Sequence, residues 1–230
     1  MIALIVPAGV EVADATGPLP GEALLPEEEV LVARAVGKRR AEFTTVRTCA
    51  RIALGRLGLP PAPLLSGAKR EPLWPDGVVG SITHCDGYRA AAVALATRVA
   101  AIGIDAEPHD PLPAGILDRV TLPAEQAHLR DLPPGVYWDR LLFSAKESVY
   151  KAWFPLARRW LGFEEAALLF SPGPDPERGT FTADLLVDKS PVVAGRPVRT
   201  LHGRYAVSGG LLGTAITLAA DRDEEDPWRR

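Results

Sequence analysis

The sequence predicts an α+β fold, on three observations: two long helical stretches set far apart, short strand-like runs around them, and a well-marked C-terminal hairpin. The first helical stretch covers residues 26–58. Glu27, Glu28 and Glu29 suit a helix start, and Phe43, Val46, Ala50, Ala53, Leu54 and Leu57 recur at helical spacing as one apolar stripe. Gly58 with Pro60, Pro61 and Pro63 ends it, and residues 66–77, rich in Gly, Pro and charge, read as an irregular surface segment. Strands are expected at 78–82, 88–95 and 100–106, the last closed by Pro108. A short helix is expected over 123–130 and a stronger one over 137–154, stopped by Pro155. The remainder reads as strands near 167–171, 180–187 and 198–207, and Gly209-Gly210 between residues 205–208 and 211–218 marks a hairpin turn. A change of composition and pattern near residue 100 divides an N-terminal part, 1–101, from a C-terminal part, 102–220, followed by a charged tail, 221–230.

The bulk properties narrow the class. The chain has 230 residues, 47% hydrophobic and 24% charged, enough for a substantial core in an ordinary soluble protein. A net charge of -3 gives no reason to expect nucleic acid, although a local basic patch for a small anion remains open. Residues 1–12 are apolar but lack a basic leader and are too short to span a bilayer, and no later segment qualifies, so no membrane role is expected. Cys49 and Cys85 have no zinc or disulfide spacing, which fits a reduced cytoplasmic protein. The basic residues are mostly Arg; the lysines are Lys38, Lys69, Lys146, Lys151 and Lys189. Lys is kept against that bias either where a compact ammonium is wanted or by chance.

Five segments carry candidate chemistry. In Ile102-Gly103-Ile104-Asp105-Ala106-Glu107-Pro108, strand alternation puts Asp105 and Glu107 on one face and Ile102 and Ile104 in the core. Two hard oxygen donors on one face suit a magnesium ion that takes its other ligands from phosphates. The alternative is a strand end turning acidic as it reaches solvent. In Phe143-Ser144-Ala145-Lys146-Glu147-Ser148-Val149-Tyr150-Lys151, Glu147 and Lys151 share a helix face, and Lys146 lies roughly 100° round from Glu147, edging the same cleft. A third carboxylate with two ammonium groups suits a magnesium diphosphate; an exposed helix-stabilising pair is the alternative.

Around the first helix, Arg39 and Arg47 each fall about 40° from the centre of the apolar stripe. There a bound anion, an internal partner or a snorkelling side chain explains them. Gly67-Ala68-Lys69-Arg70-Glu71-Pro72 carries two adjacent cations, which solubility also explains. In Gly80-Ser81-Ile82-Thr83-His84-Cys85, Ser81 and Thr83 alternate with Ile82. His84 reads as a structural hydrogen-bonder, because a Cys–His nucleophile is opposed by adjacent strand residues pointing apart.

The order of these segments is more specific than any one of them. Gly103-Ile104-Asp105-Ala106-Glu107 followed by Phe143-Ser144-Ala145-Lys146-Glu147-Ser148-Val149-Tyr150-Lys151 resembles the paired signature of 4′-phosphopantetheinyl transferases, and Ser81-Ile82-Thr83-His84 is similar to that family's third motif. Arg39, Arg47, Lys69 and Trp160-Leu161-Gly162-Phe163 resemble the single-chain, Sfp-type branch near the PptT-like and EntD-like enzymes, over roughly residues 30–220.

The resemblance implies a monomer of two similar lobes related by pseudo-two-fold symmetry, each a small antiparallel sheet packed with helices, with coenzyme A in the cleft between them. It implies transfer of 4′-phosphopantetheine to a serine of an apo acyl or peptidyl carrier domain, with release of adenosine 3′,5′-bisphosphate. Asp105, Glu107 and Glu147 match the acids that bind Mg2+, with Mn2+ as the alternative ion. Ala106 departs from the acidic or polar residue of some members, leaving that place to water or a substrate oxygen. Arg39, Arg47, Lys69 and His84 match positions at the adenosine and its 3′-phosphate, with Arg70, Glu71, Pro72 and Thr83 beside them on the coenzyme A side. Lys146 and Lys151 match positions near the diphosphate, and Glu147 and Lys151 are the expected catalytic pair, Glu147 as base. No Walker or kinase glycine loop is present, which counts against a different magnesium-dependent phosphoryl transferase. Intact acids and Lys151 count against a binding module that has lost catalysis.

Overall fold

The computed structural model describes residues 1–221, so the charged tail beyond Asp221 lies outside the described residues. In chain order the elements are β1 (Glu11–Ala15), α1 (Pro26–Glu29), α2 (Gly37–Arg56), β2 (Leu65–Ser66), β3 (Pro72–Leu73), β4 (Val78–Cys85), β5 (Tyr88–Leu95) and β6 (Val99–Pro108). There follow α3 (Leu117–Val120), α4 (Pro123–Asp131), α5 (Trp138–Ala157), β7 (Ala166–Pro172), β8 (Arg178–Leu185), β9 (Val192–Val193), β10 (Arg196–Pro197), β11 (Thr200–Ser208) and β12 (Leu211–Ala219). Helices and small antiparallel sheets are both present, as the α+β pattern predicts.

Side-chain size along the strands explains how these elements stack. Strand β5 lies in the middle of a three-stranded sheet, β1-β5-β4, and its residues from Ala90 to Ala94 are fully buried on both faces. Ala91 and Val93 pack on Cys49, Ala50, Ala53 and Leu54 of α2, while Ala90, Ala92 and Ala94 join Ile102, Ile104 and Ala215 on the other side. Only small residues let a strand be covered closely on both faces. A five-stranded sheet, β6-β12-β11-β8-β7, carries α5, whose Leu141, Leu142, Val149 and Ala152 share a core with Leu212 and Ile216.

The edges β4 and β6 belong to different sheets but are bridged by side chains: Ser81 Oγ accepts the Ile104 N–H and Thr83 Oγ1 accepts the Ala106 N–H, each at 3.1 Å. The two hydroxyls take the place of ladder carbonyls for these strand amides.

Helix α5 lies directly on β6 because Gly103 has no side chain; a Cβ there would overlap the carbonyl oxygen of Ser148 and crowd the amide of Ala152. Overpacking of this kind costs about 1–3 kcal/mol or more when backbone must move. Gly103→Ala is therefore expected to lower the unfolding free energy by about 3 kcal/mol, read from denaturant midpoints; an unchanged midpoint would show that α5 is free to lift off β6.

The structure corrects several boundaries. The stretch read as one helix over 26–58 is broken into α1, a 3-10 turn at Val30–Val32, and α2. The reason is Glu28, fully buried, which accepts from Arg51 Nη1 at 2.8 Å and from the Leu64 N–H at 2.8 Å. That tie folds α1 back on α2. Helix α5 does not stop before Pro155 but runs through it to Ala157, where Arg158 in the left-handed region (φ 51°) ends it. Near a helix end a proline forgoes only one bond. Strand β1 and the two-residue β2–β3 pairing were not foreseen, whereas the hairpin turn has Gly209 and Gly210 at φ 60° and 75°, as a type I′ turn demands. Among the described residues no helix is long and apolar enough to cross a membrane.

Candidate active site

Strand β6 carries Asp105 and Glu107, and helix α5 carries Glu147 and Lys151. Asp105, 5% exposed, accepts at Oδ1 from Lys151 Nζ (2.7 Å) and from the Thr83 hydroxyl (3.2 Å). Its Oδ2 is buried and has no hydrogen-bond partner. Lys151 also donates to the Ile104 carbonyl at 3.1 Å. The four-residue spacing from Glu147 suggested a pair along the helix, but the ion pair Lys151 makes is with Asp105, across the strand–helix contact. Glu107 Oε2 accepts from Arg140 Nη1 at 3.0 Å.

Burial, and then the charge of Asp105, raise the pKa of Glu107, while Arg140 opposes the shift. Burial also raises Glu147, with Lys151 pulling it back and Asp105 adding to the rise. For both glutamates, burial and the like charge of Asp105 disfavour the ionised form.

As the side chains stand, no group of three His, Cys, Asp or Glu among the described residues closes on one point that would hold a metal ion. The donor chemistry nevertheless fits a hard divalent cation: one buried carboxylate oxygen lacks a partner, and two neighbouring carboxylates have raised pKa values that a cation would relieve.

A cavity of about 470 Å³ opens beside this cluster. Residues 69–74 of the loop form one wall, residues 78–82 and 100–102 form the floor, and Glu147, Tyr150 and Lys151 of α5 form the other wall. Lys69, Arg70, Glu71 and Pro72 thus stand at the same cavity as Glu147 and Lys151. Glu71 shapes its own loop by accepting the Lys69 N–H at 2.9 Å, and it faces Arg158 at 3.9 Å.

Arg39 and His84 meet separately, with Arg39 Nη1 2.6 Å from His84 Nε2. A guanidinium only donates, so Nε2 accepts and the ring proton sits on Nδ1, towards Glu42 at 3.8 Å. Partial burial, followed by the Arg39 charge, holds the imidazole below its ordinary 6.5. His84 is therefore neutral at pH 7 and its ring is turned to Arg39. Burial pushes the Cys85 thiol up to about 12, so no thiolate forms beside it.

Three expected placements are corrected. Lys146 does not edge the cleft. Its ammonium is 3% exposed and meets Glu125 Oε1 at 2.9 Å and the Phe163 and Ala166 carbonyls at 2.7 Å, which occupies its three donors. The turn of the helix carries it to the α4–β7 side, where burial lowers its pKa against the pull of Glu125. Arg47, also 3% exposed, stacks 3.1 Å over Phe43 and donates to the Leu64 carbonyl and Ser66 Oγ, so it stands behind the loop wall. Burial lowers it to about 10. Thr83 is buried, with its hydroxyl spent on Asp105 and Ala106.

Sequence reading missed Arg140, Tyr150 and Glu42. Arg140 precedes Glu147 by about two helical turns and so shares its face, a signal that was available.

Comparison with known proteins bears on the family. A model of the 4′-phosphopantetheinyl transferase N-terminal domain matches residues 27–94, and one of the 4′-phosphopantetheinyl transferase superfamily matches residues 101–198. The chain is 56% identical over 200 residues to the 4′-phosphopantetheinyl transferase PptT of Mycobacterium tuberculosis, covering 86% of this chain and 88% of that protein. It is 58% identical over 204 residues to Svp of Streptomyces mobaraensis (87% and 81% covered). It is 49% identical over 222 residues to Npt of Nocardia iowensis (95% and 100% covered). Matches of this length and identity show that the chain belongs to the 4′-phosphopantetheinyl transferase superfamily, as an enzyme of the PptT-like type.

Proposed function

We propose that this chain moves the 4′-phosphopantetheine arm of coenzyme A onto a serine of an apo acyl or peptidyl carrier domain at the meeting of β6 and α5, releasing adenosine 3′,5′-bisphosphate. The observation that carries this reading is the buried, unpartnered Oδ2 of Asp105 next to the Lys151 ammonium, with Glu107 and Glu147 in electrostatic reach and a cavity alongside.

Asp105, Glu107 and Glu147 would hold Mg2+ or Mn2+, which when bound would neutralise diphosphate charge. Glu147, partly buried and with a raised pKa, accepts the proton of the carrier serine as its Oγ bonds to the β-phosphorus. The bond to the bisphosphate leaving group breaks with its electron pair, and Lys151 donates to the oxygens that gain charge. Lys69, Arg70 and Pro72 hold the adenosine side, Arg39 and His84 hold the 3′-phosphate, and Arg47 braces the wall behind them. Glu71 and Thr83 act through what they hold, the loop turn and Asp105.

Two similar lobes related by a pseudo-two-fold axis, divided near residue 101, accord with two antiparallel sheets that each carry one 20-residue helix and abut at β4 and β6. A cytoplasmic setting accords with the free thiols of Cys49 and Cys85, and a monomer is what the family resemblance implies. The test is a coenzyme A-dependent transfer assay on a panel of apo carriers, read by carrier mass with magnesium present or chelated. Absence of mass gain on every carrier would overturn the reading.

The assignment of Arg39 and His84 is tested by ligand choice. Arg39→Ala and His84→Ala are expected to weaken coenzyme A on the order of tenfold or more, since a hydrogen bond to a charged group contributes about 1.5–3 kcal/mol. They should leave 3′-dephospho-coenzyme A much less affected, as calorimetry would show. Equal losses for both ligands would place the two residues elsewhere.

A further inference from the structure

We propose that Arg140 is the positioning residue that sets Glu107 in place within the cation-binding acids, an inference that rests on Glu107 belonging to that set. Its guanidinium makes three contacts at once: Nη1 with Glu107 Oε2 (3.0 Å), Nε with the Asp110 carbonyl (3.2 Å) and Nη2 with the Pro111 carbonyl (2.9 Å). A single rigid fork from α5 thereby grips the last acid of β6 and the chain that follows it.

Neighbouring groups fasten the same joint. Asp139 Oδ2 accepts the Leu112 N–H at 2.8 Å, and His109 Nε2 accepts the Tyr137 N–H at 3.1 Å with its ring against Tyr137. Residues 109–112 are thus wrapped on the first turn of α5, the helix that also carries Glu147 and Lys151.

Glu107 has a reason to need this hold. It is a long, flexible carboxylate beside Asp105 and repelled by it, so without a partner it would turn towards water. The fork fixes Oε2, while Oε1 is left without a hydrogen-bond partner among the described residues. The pair is also shielded, with side chains 16% and 21% exposed, unlike the surface pairs that contribute little. An Arg that merely pinned the 109–112 segment would not need to spend Nη1 on the acid.

Groups that orient a metal ligand typically change metal affinity 10–100-fold when removed. The experiment follows Mn2+ binding to the full-length protein with coenzyme A and no carrier, by electron paramagnetic resonance, alongside the magnesium dependence of transfer. Arg140→Ala is expected to weaken Mn2+ by about 10–100-fold and to raise the half-saturating magnesium by a like factor, with turnover largely recovered at saturating magnesium. Arg140→Lys, which keeps charge but not the fork, should fall between.

In a Glu107→Gln background, Arg140→Ala should add little. Unchanged Mn2+ binding in Arg140→Ala, with only melting temperature or turnover lowered, overturns the proposal. If Glu107→Gln itself leaves Mn2+ binding unchanged, the assignment of Glu107 to the set fails instead. Should Arg140→Ala not fold, the same titration on Arg140→Lys decides, and wild-type affinity there counts against the inference.

Discussion

Asp105→Ala and Glu147→Ala are each expected to abolish carrier modification, with a loss on the order of a thousandfold or more. On the proposed mechanism each substitution removes an oxygen donor from the site where diphosphate charge would be neutralised. Asp105 does more than offer a ligand, because its Oδ1 holds the Lys151 ammonium and the Thr83 hydroxyl. Its loss therefore releases two further groups. Asp105→Asn is the finer variant: it keeps the shape and the acceptor oxygen but not the charge, and it should be nearly as inactive.

The folds of these variants should survive. Removing Asp105 takes away the charge that raises both Glu107 and Glu147, which offsets part of what the lost contacts cost. Near-wild-type turnover in Asp105→Ala or Glu147→Ala, with magnesium the sole divalent ion and melting curves intact, would remove the acid cluster from the mechanism.

For Lys151 the structure sharpens the choice. A helix-stabilising pair with Glu147 on an exposed face would contribute only about 0.3–0.5 kcal/mol and nothing to turnover. The ammonium instead lies 26% exposed between Asp105 Oδ1 and the Ile104 carbonyl, at the wall of the cavity. Under the proposed mechanism its charge would act on the diphosphate oxygens as they gain charge, an effect of roughly a few kcal/mol in a water-poor site.

Lys151→Ala is accordingly expected to cost about a hundredfold or more in kcat. Coenzyme A affinity should fall much less, since the contact strengthens in the transition state. Lys151→Arg keeps the charge but spreads it over a plane too wide for the same two acceptors, so it should recover only part of the loss. Steady-state kinetics on an apo carrier, with coenzyme A binding measured separately, reads both effects. Normal turnover in Lys151→Ala and Lys151→Arg together would reduce Lys151 to a partner that steadies Asp105.

Local pattern was a good guide wherever one neighbour decides conformation. The strand pattern at 88–95 announced β5, and paired glycines announced the last hairpin. Pattern failed at Glu28, an acid that reads as a helix-start charge but is a buried anchor for Arg51 and the Leu64 amide. Nothing near it in the sequence says that residue 64 returns to meet it.

The sequence by itself determined the α+β class, the family, the shared face of Asp105 and Glu107 and the shared face of Glu147 and Lys151, because strand and helix periods fix which side chains point the same way. It did not determine what each face meets. Tertiary packing gave Lys151 to Asp105 rather than Glu147, took Lys146 into a buried pair with Glu125, turned Arg47 behind the loop, and set Arg140 on Glu107. Each of those choices joins residues from different elements. Such partners are selected by how the elements dock, and the docking of α5 on β6 turns on the missing side chain of Gly103.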